Sequence, residues 1–198
     1  AKLNKPIVLV LNEGRPRLIS DFEDKMNAVV QCYLPGNEGA RALVDILYGD
    51  VNPSGRLPYN YPRYPNSLEK YNRKYTESIS EGEQNNDAKY EKSYYPQFEF
   101  GTGLSYTTFT YSNLKIDKTE INDADEINVS VEVTNSGTKA GKETVLLYLT
   151  DNFASITPEV KTLKRFEKIS LEPKETKTVS FVLKQKDSED LKIELDYM

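Results

Sequence analysis

Five consecutive apolar residues, Ile7-Val8-Leu9-Val10-Leu11, form the first clear pattern in the chain. A β-branched and leucine run of this length, without alternation, suits a strand buried on both faces of a parallel sheet. Asn12-Glu13-Gly14-Arg15-Pro16 ends it, because Gly and Pro both break regular structure. Ser20 and Glu23 stand at capping-box spacing and predict a short helix from about Asp21 to Met26. Ala28 to Leu34 reads as a second buried strand, stopped at Pro35-Gly36. From Asn37 a helix is predicted, with Ala40, Leu43, Val44 and Leu47 on one face and Gly49 where a C-cap belongs. Two β-α repeats imply a parallel sheet. Two repeats are too few to cover such a sheet, so the strands of Ile7 and Val29 are expected to border a bare apolar surface.

Further on, the pattern changes twice. Ser78 to Lys92 is polar and charged with no hydrophobic period, and reads as an exposed insertion or loop. Ten of the 14 tyrosines lie between Tyr59 and Tyr111 around it. They suit either packing at a wet domain edge or a platform on which sugars stack. From about Phe100 the chain turns all-β. Ile127, Val129, Val131 and Val133 alternate with Asn128, Ser130, Glu132 and Thr134, followed by an Asn135-Ser136-Gly137 turn. Val145 to Leu149 and Val179 to Leu183 supply further strands, with Leu171-Glu172-Pro173-Lys174-Glu175 a loop between them. The expected organisation is a partial parallel α/β sandwich over 1–65, a Tyr-rich linker or insertion over 66–98, and an immunoglobulin-like sandwich over 99–198.

Composition narrows the chemistry. Lys plus Arg total 26 against 31 for Asp plus Glu, a net charge of −5 with mixed signs, which argues against the basic face that nucleic acids require. No apolar run approaches the ~20 residues that span a bilayer. Ala1 to Pro6 is no signal peptide, and the start reads as cut. The chain has no histidine, which excludes Ser-His-Asp and Cys-His relays and His-ligated zinc within it. Its one cysteine, Cys32, sits in an apolar stretch and reads as a small core residue. Asp123, Asp125 and Glu126 lack calcium-loop spacing and read as a solvated turn, so no metal and no cofactor is expected. Gly36-Asn37-Glu38-Gly39 stands where a helix starts; without the Gly-Lys-Ser/Thr of a nucleotide loop, helix capping is preferred to an anion cradle.

Several motifs resemble one family in order. Pro6-Ile7-Val8-Leu9-Val10, Gly14-Arg15-Pro16, Leu34-Pro35-Gly36-Asn37-Glu38-Gly39 and Gly49-Asp50-Val51-Asn52-Pro53-Ser54-Gly55-Arg56-Leu57-Pro58 look like the second half of the α/β-sandwich domain of glycoside hydrolase family 3. Phe98 to Phe109 is similar to the junction into that family's fibronectin type III-like domain. Val133 to Gly137 with Ala140-Gly141-Lys142-Glu143, Leu163 to Glu167 and Leu171-Glu172-Pro173 follow in the family's order. Lys184 to Met198 is short and charged where the family continues through further strands, so the sandwich is expected to lack its last strands.

The resemblance implies a retaining β-glycosidase of β-glucosidase type, with its nucleophile on an N-terminal barrel and its acid/base before the strand of Ile7. This chain is then expected to be the C-terminal portion, inactive alone, with no catalytic residue of its own. Implied partners are the barrel domain and a β-linked oligosaccharide; self-association into a homodimer is a further expectation, and periplasmic or secreted location follows family habit. Glu13, just past a strand end, with Arg15 beside it, is the candidate for the edge of the sugar pocket, against the alternative of a loop ion pair. The competing function is a free-standing carbohydrate-binding or cell-surface module, which several exposed coplanar tyrosines would favour.

Overall fold

A computed structural model describes residues 4–65, 69–73, 95–118, 125–150, 157–184 and 187. The elements run β1 Val8–Leu11, a 3-10 turn at Glu23–Lys25, β2 Ala28–Gln31, α1 Gly39–Tyr48, β3 Phe109–Ile116, β4 Glu126–Asn135, β5 Gly141–Leu149, β6 Thr162–Leu171 and β7 Thr176–Lys184. The insertion expected over Ser78 to Lys92, the tail after Lys184 apart from Asp187, and Asp123 lie outside the described residues. The chain divides into two compact units, 1–51 with 57–71 and 75–102, and 52–56 with 72–74 and 103–198.

In the first unit, β1 and β2 pair parallel, Val8 beside Ala28 through Leu11 beside Gln31. Leu11, Ile19 and Tyr61 form the buried centre, with Leu9, Val29, Leu57, Tyr59 and Phe98 packed on it. Tyr61 is held there by an antiparallel bridge to Phe98, its N–H donating to the Phe98 carbonyl at 2.8 Å. Three expectations are corrected. β1 is not buried on both faces, since Val8 and Val10 remain 41% and 38% exposed. The predicted face of α1 is also only partly covered: Leu43 is half-buried, whereas Ala40, Val44 and Leu47 are exposed. The helix predicted from Asp21 is a single 3-10 turn whose N-cap is Phe22, with no side-chain cap bond. The reason is that Glu23, the distal half of the supposed capping box, instead accepts from the Gln97 amide at 2.8 Å.

β2 ends at Gln31, three residues before the predicted Leu34, because Tyr33 turns into the left-handed region at φ 54. α1 stops where predicted, at Gly49 with φ 83, whose N–H closes on the Ile46 carbonyl at 3.0 Å.

The second unit is a sandwich of a three-stranded sheet, β3-β4-β7, and a pair, β5-β6, all antiparallel. Ile127, Val129, Val131 and Val133 from β4 meet Val145, Leu147 and Leu149 from β5 and Val179, Phe181 and Leu183 from β7 in one core. Thr107 and two longer polar side chains are buried beside it. Asn135 is fully buried and fully bonded: its amide nitrogen donates to the carbonyls of Lys139 at 2.8 Å and Leu171 at 3.1 Å. Its oxygen accepts from Thr107 Oγ1 at 2.6 Å and the Gly137 N–H at 3.1 Å. Glu143 is the other, joined by Arg56 Nη2 at 2.6 Å and by the Tyr111 hydroxyl at 3.0 Å. Arg56 also donates to the Gly103 carbonyl. A Cβ on Gly103 would lie 2.2 Å from the Gly55 carbonyl oxygen, so only glycine allows this approach. Asn52 completes the fastening, donating to Ala140 O at 2.9 Å and accepting from Ser105 Oγ and the Tyr106 N–H.

Two outcomes follow. Asn135→Ala leaves four groups without their partner and is expected to cost about 3 kcal/mol in urea unfolding. Burial, and then the charge of Glu143, push the Tyr111 hydroxyl well above its ordinary value of 10. The neutral phenol is thus favoured by the fold, so this contribution is whole below pH 10 and is lost as pH climbs through the folded value. Stability measured from pH 9 upward is expected to fall less steeply in Tyr111→Phe than in the parent.

Candidate functional site

Strand β1 delivers Glu13 two residues past its C-terminal end, and β2 delivers Gln31 and Tyr33 at the corresponding end beside it. The carboxyl-terminal ends of parallel strands in an open sheet are where such folds place ligands. The two loops touch: a Cβ on Gly14 would sit 3.5 Å from Leu34 Cδ1.

Glu13 is half-buried. Its Oε1 accepts from the Tyr61 hydroxyl at 2.9 Å and, more weakly, from the Arg17 N–H at 3.4 Å. The same hydroxyl lies 2.7 Å from the Arg17 carbonyl and accepts from the Arg17 N–H at 3.2 Å, so Tyr61 pins the loop at both ends. Its single proton is shared between the carboxylate and the carbonyl. Burial, followed by the hydrogen bond and charge of Glu13, raises the Tyr61 hydroxyl far above its ordinary range. Glu13 Oε2 carries no hydrogen bond among the described residues. Arg15 is exposed and makes no ion pair with Glu13, so the loop ion pair does not form.

Around this carboxylate the rings are close. Tyr59 stacks on Tyr61 with centroids 6.3 Å apart, and Tyr33 meets Tyr59 edge-on at 6.5 Å. Burial raises both hydroxyls, helped at Tyr59 by the Glu13 charge and at Tyr33 by Tyr59. The Gln31 amide lies near enough to Tyr59 to lower its hydroxyl, yet both its polar atoms are buried outside hydrogen-bonding geometry. Cys32, next in the chain, is half-buried with its thiol pushed up by burial.

Sequence reasoning put forward Glu13 and Arg15 from their place after a strand. It missed Tyr33, Tyr59, Tyr61 and Gln31 as a group, since Tyr61 stands 48 positions from Glu13 and no local pattern joins them. The tyrosine-rich stretch offers no coplanar exposed row among the described residues: Tyr61 is buried, and Tyr71 stacks on Phe100 at 4.5 Å. At the helix start, Gly39 is a packing requirement, because a Cβ there would lie 2.5 Å from Pro35 Cβ. The described residues hold no group of three or more acidic or cysteine side chains suited to a metal ion.

The first unit thus presents a carboxylate and aromatic rings at the ends of two parallel strands, in one chain with an antiparallel sandwich. Residues 1–106 match the family described as glycosyl hydrolase family 3 C-terminal domain, and residues 143–192 match the fibronectin type III-like domain. The chain belongs to glycosyl hydrolase family 3. It is 40% identical over 185 residues to the periplasmic beta-glucosidase of Salmonella typhimurium, covering 89% of this chain and 24% of that protein. It is 41% identical over 191 residues to the lysosomal beta glucosidase of Dictyostelium discoideum, covering 90% and 22%. Among solved structures, the beta-glucosidase of Listeria innocua in complex with gluconolactone superposes with a TM-score of 0.82 at 34% identity, covering 92% of this chain and 26% of that one. The chain thus spans about a quarter of the length of the relatives it matches.

Tyr61→Phe removes the hydroxyl that joins Glu13 to the Arg17 backbone and is expected to cost about 1.5 kcal/mol, read as a lower thermal midpoint of the 198-residue chain.

Proposed function

We propose that this chain is the C-terminal portion of a retaining β-glycosidase of β-glucosidase type, hydrolysing O-glycosyl bonds with catalytic groups held outside these residues. The observation that carries the reading is the joint match to the family's C-terminal domain and fibronectin-like domain, in a chain whose named relatives are β-glucosidases. The chemistry supports it. Retaining hydrolysis requires two carboxyl groups about 5 to 5.5 Å apart, and the groups that hold Glu13 are a tyrosine hydroxyl and a backbone amide. Its partners in the reading are an N-terminal barrel domain and a β-linked glycoside, with Glu13 and Arg15 at the pocket edge. Val8 and Val10 leave the isolated chain an apolar strand face that self-association would cover. A periplasmic or secreted location accords with the named compartment of the Salmonella relative.

The test is an exchange. The 198-residue chain alone is expected to leave an aryl β-glucoside unhydrolysed. Substituted for the matching quarter of the Salmonella enzyme, it is expected to give a chimera that hydrolyses that substrate; a folded but inactive chimera would refute the reading.

A further inference from the structure

We infer that the C-terminal ends of β1 and β2 form a contact site for a neutral pyranose ring, with Tyr33 and Tyr59 as aromatic walls and Glu13 as acceptor for a sugar hydroxyl. The inference rests on the hydrolase reading and adds residues to its pocket edge.

The first observation is strain. Tyr33 holds φ 54, a region that bulky side chains rarely enter and that Gly or Asn adopts at lower cost. Backbone strain of this kind collects where a side chain must be held for a ligand. The strained residue is 37% exposed and sets its ring at 81° to Tyr59, making a corner rather than a flat surface. The second observation is the carboxylate. Tyr61 fixes Glu13 through Oε1 and leaves Oε2 unbonded among the described residues, an oriented charged acceptor beside the two rings. The third is the Gln31 amide beside Tyr59, whose two polar atoms are buried outside hydrogen-bonding geometry.

Together these fit one ligand class. A pyranose offers C–H faces for aromatic walls and hydroxyl edges for an oriented acceptor. The carboxylate beside the rings disfavours anionic sugars, so a neutral one is assigned. Tyr61 does not touch the sugar; it is the positioning residue that aims Glu13.

Two readouts test this. The 198-residue chain is titrated with cellobiose and followed by backbone NMR, with shifts expected at Glu13, Tyr33 and Tyr59 and not along β4, β5 and β7. In the active chimera, Tyr33→Gly and Glu13→Gln are each expected to raise KM for the aryl β-glucoside about tenfold, equivalent to about 1.4 kcal/mol, with kcat little changed. Glu13→Gln keeps an oxygen for the Tyr61 hydroxyl and so preserves the loop. Tyr33→Gly relieves the left-handed backbone, and the thermal midpoint of the chain is expected to hold or rise. Absent cellobiose shifts at these residues, or unchanged KM in both variants of an active chimera, overturns the site. Localised cellobiose shifts beside an inactive chimera uphold the site and remove the hydrolase reading instead.

Discussion

Glu143 lies on the inward side of β5, in line with Val145 and Leu147, where a lone carboxylate would be too costly to keep ionised. Arg56 makes the position tenable, meeting it at 2.6 Å with side-chain exposures of only 20% and 10%. Tyr111 Oη caps the remaining oxygen. The arginine's other arm takes the Gly103 carbonyl, and Gly103 and Gly55 approach closely enough that neither backbone leaves room for a Cβ on Gly103. Much of the second unit's polar order hangs on this group. Asn52 to Arg56 belongs to that unit although the residues on either side of it belong to the first.

The sequence was legible where burial imposes a period. β4 alternates along its length and β7 from Thr178 onward, so their phase is readable from the residues alone. The parallel pairing of β1 and β2 followed from unbroken apolar runs. β3 and β6 escaped notice for physical reasons. The β3–β4 register shifts between Ser112 and Lys115, with Asn113 at φ 52, and this interrupts the alternation. Among the described residues β6 pairs only with β5, and it carries Lys164, Arg165, Glu167 and Lys168 with Phe166 to Lys168 exposed in its middle, so its sequence reads as loop. The false helix at Ser20 failed because Glu23 found Gln97, 74 residues away, which local spacing cannot foresee.

The candidate site shows the same division. Position after a strand put forward Glu13 as a candidate, but what orients it is a tyrosine from beyond α1, and what surrounds it comes from the end of β2 and from Tyr59. Tyr61 serves two purposes at once. Its ring fills the first unit's core with Leu11 and Ile19, while its hydroxyl governs the loop after β1. A residue with both duties ties the geometry of the strand end to the stability of the core beneath it.

The 87 residues between Arg56 and Glu143 also have a meaning in time. At a synthesis rate of roughly 5 to 20 residues per second, the arginine leaves the ribosome some 4 to 17 s before its counter-ion. The first unit's strands and helix end at Tyr48 and so have emerged before that interval begins, whereas the second must hold an early, charged pentapeptide in reserve until β5 emerges. The order of emergence therefore makes the sandwich the later-maturing of the two units.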